Sequence, residues 1–218
     1  MQDHDFIKLE YSGKVKETGL TLDKPQTTSI VVGAGYVLPG IDEALKQINL
    51  GEKKTVTLTP DKAFGAWNQE LVRLFPLNEF KRHGTDPYPG MIVEGDNMRG
   101  RVLSVSGGRV RVDFNHSLAG KTLIYDLEIK GKIDDIKEKI KAIIDFYTKL
   151  DKTDVHIHEK EVEIFMPKTF ESVLIVYKKK VADDVMNFLG FEKVKFSEVF
   201  EKTKEEDSEN GEKAQKSN

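Results

Sequence analysis

One stretch, Val32–Leu45, most constrains the fold that this chain can adopt. Its sequence, Val-Gly-Ala-Gly-Tyr-Val-Leu-Pro-Gly-Ile-Asp-Glu-Ala-Leu, is typical of a strand end, a glycine turn and a short helix. Gly33 and Gly35 permit backbone angles that a Cβ disfavours. Pro39 suits the first turn of a helix, because its missing N–H has no partner to lose there. The turn and the helix start therefore predict an apolar floor, built from Val37, Leu38 and Ile41.

A glycine turn before a helix can instead bind phosphate. The dinucleotide fingerprint would require a third glycine at position 38, where Leu38 stands, and no Gly-Lys-Ser/Thr follows. The spacing therefore favours an apolar pocket over a nucleotide site.

The composition narrows the functional classes. The 218 residues suffice for one to three compact units. Charged residues make up 33% of the chain and nearly cancel to a net charge of −3, so no general attraction to nucleic acid or anionic membrane is expected. The sequence contains neither a secretory signal nor an apolar run of the roughly 18 residues that span a membrane. With no cysteine, disulfides, thiolate zinc sites and thiol nucleophiles are excluded, and a reducing cytoplasm is the expected location.

Hydrophobic periodicity divides the chain into three parts. The first part alternates as strands, before and after the helix of the organising stretch; the predicted strands are 6–15, 20–23, 28–32 and 53–58. The second part, 67–116, is rich in proline and glycine and predicts short strands at 90–94, 99–105 and 109–114, with a small helix at 77–82. A strand at 121–130 is expected to complete the first sheet. Residues 67–116 would then be an insertion into the first domain.

The third part has the order αββαβ. Helical spacing runs from Ile136 to Tyr147, two short strands form a hairpin around a charged turn, and a second helix at 172–190 leads to a last strand. Residues 201–218 are charged or small and polar, so they are expected to be disordered.

Several short motifs together resemble the FKBP-type peptidyl-prolyl isomerases. They are Tyr11, Leu22-Asp23, Val37-Leu38-Pro39-Gly40-Ile41, Ala63-Phe64-Gly65 and Leu123-Ile124-Tyr125. The segment Asp113–Lys121, with its Asn-His-Ser-Leu-Ala-Gly-Lys run, resembles the SlyD-like branch, in which an insert-in-flap chaperone module occupies the place of the second part. The αββαβ part is similar to that of long archaeal members, which can dimerise through it.

The resemblance implies an α+β protein with an FKBP-like antiparallel half-barrel sheet around one helix, an inserted small β-rich domain and a C-terminal αββαβ domain. The implied domains are a discontinuous isomerase domain (1–66 plus 117–133), an insert-in-flap domain (67–116), a C-terminal domain with a homodimer interface (134–200) and a disordered tail (201–218).

The resemblance also implies an isomerase pocket, although each of its residues taken singly could simply be core. The catalytic positions would be Tyr11, Asp23, Phe64 and Tyr125. The substrate-binding positions would be Leu22, Val37, Leu38, Ile41, Ala63 and Leu118. Ile41 stands where the best-known small members have Trp, and Phe64 where many have Tyr, which removes a hydroxyl donor to the substrate carbonyl.

The inserted part implies a surface for unfolded clients. Its candidate client-binding residues are Leu77, Phe80, Tyr88, Met91, Ile92, Met98 and Val102, of which about half could form a small core. The expected partners are unfolded or nascent polypeptides with Xaa-Pro bonds. The alternative is a holdase-type chaperone with a vestigial pocket. No cofactor or metal is expected; His156 and His158 share a strand face, but no third ligand is evident in the sequence.

Overall fold

A computed structural model describes residues 1–95, 98–150, 153–167 and 171–199. The chain forms two compact units, Met1–Ile133 and a second unit that begins at Asp134. Both units combine helices with sheets, which confirms the predicted α+β class. The tail, predicted to be disordered, lies outside the described residues.

The elements follow in chain order. The strands are β1 (Phe6–Val15), β2 (Thr21–Val31), β3 (Lys53–Leu58), β4 (Val72–Pro76), β5 (Ile92–Gly95), β6 (Met98–Ser106), β7 (Arg109–Asp113), β8 (Leu123–Lys132), β9 (Asp154–His158), β10 (Glu161–Pro167) and β11 (Lys193–Val199). The α-helices are α1 (Pro39–Leu45), α2 (Leu77–Arg82), α3 (Ile136–Thr148) and α4 (Glu171–Leu189).

The first sheet is antiparallel, with the strand order β2-β1-β8-β3. Strand β8 follows the β4–β7 region in sequence, yet it lies between β1 and β3. Alternating side chains of β1 and β8 are buried, among them Leu9 and Leu127, and α1 contributes the buried Ile41 and Leu45. This burial is what the period-two and i, i+4 patterns predict.

The prediction of two separate strands at 20–23 and 28–32 was wrong, because β2 runs continuously from Thr21 to Val31. Pro25 lies between the two predicted strands, and proline cannot donate to a strand ladder. However, β2 is an edge strand of its sheet. A proline N is tolerated there wherever it faces away from the neighbouring strand.

The second sheet of the first unit is also antiparallel, with the order β4-β7-β6-β5. Its inner face packs against α2 around the buried Val102, Val110 and Val112. Strand β4 was not predicted. It is short, it does not alternate between buried and exposed residues, and it ends at Pro76 on the sheet edge.

The second unit has the predicted order αββαβ. Its sheet has the order β11-β10-β9, in which β10 pairs antiparallel with β9 and parallel with β11. The parallel pair is joined through α4, as a parallel connection requires. In the part of the chain that the structure describes, no helix combines the length and the apolar character needed to cross a membrane.

Candidate active site

Three neighbouring strands create a close pair of side chains on the first sheet. Gly13 on β1 lies opposite Asp23 on β2 and opposite Tyr125 on β8. The Tyr125 hydroxyl donates a hydrogen bond of 2.8 Å to Oδ2 of Asp23. These two residues flank the middle strand, so the phenol ring must pass over it, and Gly13 has no side chain in the way. A Cβ at Gly13 would lie 2.6 Å from Cζ of Tyr125, so this crossing requires glycine.

A second tyrosine lies beside this pair. The Tyr11 and Tyr125 ring centroids are 6.4 Å apart, with the rings tilted by 40°. Gln26 donates from Nε2 to the Tyr11 hydroxyl oxygen at 2.8 Å. The Tyr11 hydroxyl proton therefore remains available for another acceptor. Tyr125 is 4% exposed, whereas Tyr11 is half-buried.

Burial and the Asp23 carboxylate keep both phenols protonated. Burial, the Asp23 hydrogen bond and the Asp23 charge raise the pKa of Tyr125 far above that of a free tyrosine. Burial and the same charge also raise the pKa of Tyr11, against a smaller opposing effect of the Gln26 hydrogen bond. Both hydroxyls are therefore hydrogen-bond donors at neutral pH.

The glycine turn is fixed by a carboxylate of its own helix. The buried Asp42 accepts from the backbone N–H of Gly33 at 3.0 Å and of Gly35 at 3.2 Å. Both glycines have positive φ, 77° and 74°. These two amides already have an anionic partner, which explains why this turn has no need of a phosphate. The sequence offered one signal for this role, an acidic residue in the first turn of α1.

The turn also presents a backbone hydrogen-bond donor, the Leu38 N–H. Val37 and Leu38 are half-buried where the turn meets α1. The Leu38 carbonyl accepts from the N–H of Ile41 at 2.8 Å and of Asp42 at 3.1 Å. The Leu38 N–H has no acceptor among the residues that the structure describes. A substrate carbonyl can therefore take this donor without breaking an existing bond.

Phe64 lies shortly after the 3₁₀ turn Pro60–Lys62. Its ring stacks on that of His116, which follows the last strand of the inserted region in sequence. The Phe64 and His116 ring centroids are 4.4 Å apart, and the rings are 8° from parallel. Nδ1 of His116 accepts from the Leu118 backbone N–H at 3.2 Å. His116 was not among the predicted site residues, although it belongs to the Asn-His motif that marks the return to the first sheet.

The inserted sheet carries two depressions beside α2 that include apolar side chains. One, of about 430 Å³, is lined by the predicted Phe80, Met91 and Ile92. The other, of about 110 Å³, is lined by Phe80 and Met98. Tyr88 is 63% exposed on the same region. Two other predicted client-binding residues, Leu77 and Val102, do not line these depressions.

These two members belong to the packed interior of the inserted sheet. Val102 is 1% exposed in the core, and Leu77 packs against that core. The alternation of residue types along β6 predicts that the strand has two different faces. The sequence does not show which of these faces is covered by the rest of the inserted sheet.

Comparisons with known proteins identify related chains. Residues 73–118 match the family model described as FKBP26, IF domain, and residues 136–201 match the model described as FKBP26_C-terminal. A probable FKBP-type 16 kDa peptidyl-prolyl cis-trans isomerase of Pseudomonas fluorescens is 35% identical over 131 residues, which are 58% of this chain and 83% of that protein. The chain belongs to the FKBP-type peptidyl-prolyl cis-trans isomerases. It is therefore an enzyme of a class that acts on polypeptides.

Two further relatives show the same family in other branches. The short-type peptidyl-prolyl cis-trans isomerase of Methanocaldococcus jannaschii is 28% identical over 141 residues, covering 58% of this chain and 90% of that protein. The SlyD protein of Helicobacter pylori is 28% identical over 156 residues, covering 65% of this chain and 83% of that protein. The resemblance to SlyD-like FKBPs is thereby confirmed.

Within this FKBP chain, the predicted site residues are not equally accessible. Tyr11, Asp23 and Tyr125 lie together, and Phe64 lies against His116. The half-buried substrate-binding positions are Leu22, Val37, Leu38, Ala63 and Leu118. Ile41 is only 3% exposed, so it supports the floor more than it offers surface. Gly13, Gln26, Asp42 and His116 complete the arrangement without having been predicted.

The histidines of the second unit face outward on β9. Nε2 of His156 lies 3.0 Å from Oδ2 of Asp154, and the ring packs 4.7 Å from that of Phe165. His158 lies opposite Glu161. Over the described parts of the chain, no three His, Asp or Glu side chains converge in a metal-binding arrangement.

Proposed function

We propose that the pocket around Tyr125 and Asp23 accelerates cis-trans rotation of Xaa-Pro bonds in polypeptide substrates. Rotation is slow because the amide C–N bond has partial double-bond character, with a barrier of about 18–20 kcal/mol. The twisted transition state loses this resonance and is less polar than the planar amide. A dry apolar pocket therefore favours the transition state over the water-bonded ground state. Lowering the barrier by about 4 kcal/mol gives roughly a thousandfold acceleration.

Each polar group of the pocket has a role that needs no proton transfer. The Leu38 N–H donates to a substrate carbonyl and holds one side of the prolyl bond. Asp23 orients the Tyr125 ring through the 2.8 Å hydrogen bond, and the ring forms an apolar wall. Tyr11 offers its hydroxyl proton from the opposite wall. The Tyr125–Asp23 pair across Gly13 is the observation that carries this proposal, because it brings together two catalytic positions that the family resemblance implies and that are far apart in sequence.

Two assays test the isomerase proposal. We expect the full chain to accelerate both tetrapeptide exchange and the slow phase of a proline-limited refolding reaction at catalytic ratios. Asp23→Ala and Tyr125→Ala should each lower the rate. Asp126→Ala is the matched control, because Asp126 is exposed on the same strand and bonds to Thr55 instead. A wild-type rate equal to that of buffer in both assays would refute the proposal.

The inserted sheet supports a second activity, the capture of unfolded segments. The depression lined by Phe80, Met91 and Ile92 is open, has apolar and polar walls, and is large enough for side chains of an extended peptide. Methionine adapts to varied partners. Tyr88, which is 63% exposed, adds an accessible aromatic side chain in the same region. The rival, a holdase with a vestigial pocket, would keep this activity and lose the first.

Removing the inserted sheet separates the two activities. We expect a variant with residues 69–114 replaced by a short linker to keep tetrapeptide isomerisation, which reports its folding, and to lose suppression of aggregation. Tyr88→Ala should weaken suppression, whereas Leu20→Ala, an equally exposed residue of the first sheet region, should not. Unchanged suppression in the deletion variant would assign client capture to another surface.

We further propose that the second unit forms a homodimer and that the protein works in the cytoplasm. Val176 on α4 is 67% exposed, so it offers an apolar contact that a partner subunit can cover. Sedimentation of the full chain should give a dimer that Val176→Glu weakens, whereas Leu50→Glu in the first unit should not. A monomer at all concentrations would refute the dimer. A chain without cysteine has no use for an oxidising compartment, which supports the cytoplasm.

A further inference from the structure

A third cleft of the first unit lies on the opposite, outer face of the inserted sheet. It has a volume of about 1020 Å³ and runs from β6 to the return segment at residues 113–121. It borders the two depressions beside α2, sharing Ile92 with one and Phe114 with the other, and its remaining lining residues are different. Ile92, Arg101 and Asp113 lie side by side across three strands of the outer face.

The cleft carries an excess of positive charge. Arg99, Arg101 and Lys121 line it, and Asp113 is the one carboxylate of a described residue in its lining. Asp113 is already engaged. One oxygen accepts from the Asn115 backbone N–H at 2.8 Å and from its side chain at 2.7 Å, and the other accepts from the Trp67 indole at 3.3 Å. These neutral donors hold the Asp113 carboxylate in place without removing its charge, and the lining still has two more Arg and Lys side chains than carboxylates.

The three cations differ in how far they are neutralised. Arg99 forms an exposed ion pair with Glu94 at 3.7 Å. Lys121 lies near Glu17, whose pKa is lowered by hydrogen bonds and, to a lesser degree, by that charge. Arg101 has no carboxylate at ion-pair distance among the described residues. Arg101 is therefore the cation most available to a bound anion.

Exposed apolar side chains alternate with these charges. Trp67, Ile92 and Leu103 line the cleft at 44%, 40% and 41% exposure. The hydrogen bond to Asp113 fixes the Trp67 ring, so it forms a preset platform. A phosphate backbone would leave these apolar surfaces unused. An extended peptide with alternating acidic and apolar side chains would use both.

The cleft also reaches Phe64, a position that the family resemblance implies for the isomerase pocket. His116 lines the cleft and, through its ring, stacks on Phe64. A polypeptide held at Phe64 therefore has His116 and the cleft next to it.

We infer that this cleft binds the chain that flanks the prolyl bond and selects substrates whose flanking segment is acidic and apolar. The inference rests on the proposed isomerase function and names the substrate class that it prefers. Arg101 and Lys121 bind the carboxylates, while Trp67, Ile92 and Leu103 take the apolar side chains. The cleft acts on kcat/KM for long substrates and leaves short ones unaffected.

The test compares peptides that share one Xaa-Pro core. One peptide has no extension; the others carry Glu/Leu or Lys/Leu extensions, on either side of the core. For the full chain we expect the acidic extension to raise kcat/KM about fivefold over the basic one, since exposed ion pairs are each worth a fraction of a kcal/mol. Raising the salt concentration should shrink the difference, because the charges are exposed.

Variants show which residues determine the preference for an acidic flanking segment. Arg101→Gln should abolish most of the preference, and the double variant Arg101→Glu/Lys121→Glu should reverse it. Arg109→Glu is the control, because Arg109 is exposed on the same sheet but outside the cleft. Turnover of the unextended peptide reports folding and should be equal in all variants.

Three outcomes would overturn the inference. They are equal kcat/KM for acidic and basic extensions while the unextended peptide is turned over, a preference that survives in the double variant, and Arg101-dependent binding of single-stranded RNA without any peptide preference. Loss of turnover of the unextended peptide by the wild-type chain is a different result, because it would refute the isomerase function itself.

Discussion

The Tyr125 hydroxyl reaches the Asp23 carboxylate, 102 residues away in sequence, by crossing over Gly13 on the strand between them. The pair therefore depends on a residue that contributes no side chain. The hydrogen bond also fixes which way the Tyr125 ring faces. The absence of a side chain at Gly13 thus sets the orientation of the Tyr125 ring. We propose that the prolyl bond rotates against this ring.

The first prediction concerns that missing side chain. Gly13→Ala places a methyl group 2.6 Å from Cζ of Tyr125, so the ring must move and the bond to Asp23 must lengthen. We expect kcat/KM for a tetrapeptide to fall about 10- to 100-fold, as small misplacements at a site do, and stability to fall by about 1–3 kcal/mol.

Gly131→Ala is the control for this experiment. Gly131 lies on β8 itself, and a Cβ there would meet no atom within 4 Å. Activity and stability should stay near wild type. Wild-type turnover in Gly13→Ala, measured by the same exchange assay, would show that the ring position does not matter for catalysis.

The second prediction follows from the raised pKa of Tyr125. A free tyrosine ionises near pH 10, whereas the folded chain retains this proton to higher pH. Above about pH 10 the folded state therefore binds more protons than the unfolded state, and its stability falls as pH rises. The contribution of this proton is present in full below that pH and is lost as pH rises through the folded pKa.

Denaturant unfolding of the wild type and of Tyr125→Phe measures this contribution. The difference in unfolding free energy between the two proteins should be constant from pH 6 to about pH 9.5 and should shrink above about pH 10. Asp23→Asn should make the loss above pH 10 smaller and end it at lower pH, because it removes a charge that raises the pKa of Tyr125 in the folded state only. A difference that already shrinks near pH 8 would contradict the protonated donor.

Much of the first sheet could be predicted from the sequence, because strands that bury one face alternate with period two and turns require glycine. Strand β4 was not predicted, because it is a short edge strand whose residues do not alternate between buried and exposed. The single strand β2 was divided at Pro25, because a sequence does not reveal which strand lies at an edge. Such errors arise where the neighbours in space, not the local pattern, decide the outcome.

The site divides in the same way. Tyr11, Asp23 and Tyr125 were predicted through the family resemblance, and the structure brings them together. Gly13 and His116 were missed, because their roles depend on partners far away in sequence. No periodicity links His116 to Phe64 or explains a glycine in the middle of β1. For the inserted sheet, alternation indicated two faces of β6 but could not show that Val102 faces the core.

The third prediction concerns the turn that carries Val37 and Leu38. Asp42→Ala removes the acceptor of two backbone amides, those of Gly33 and Gly35. We expect a loss of about 1–3 kcal/mol in unfolding free energy and a lower kcat, because the Leu38 N–H is no longer held in place. Glu43→Ala, the adjacent exposed residue paired with Lys62, should cost less than about 1 kcal/mol. Equal losses in the two variants would remove the special role of Asp42.

The last prediction concerns Asn115, which ties the two connections of the inserted sheet together. It accepts from the Asn68 N–H at 2.8 Å, donates to the Asn68 carbonyl at 2.9 Å, and donates to Asp113 at 2.7 Å. Asn115→Ala leaves Asn68 without either bond. We expect faster amide hydrogen exchange throughout β4 and β7 and weaker suppression of aggregation, with tetrapeptide turnover changed less than about twofold, because the Tyr125–Asp23 pair lies on other strands. Ser117→Ala, an exposed neighbour, should change none of these. Unchanged exchange in Asn115→Ala would mean that the connections are held by the sheet alone.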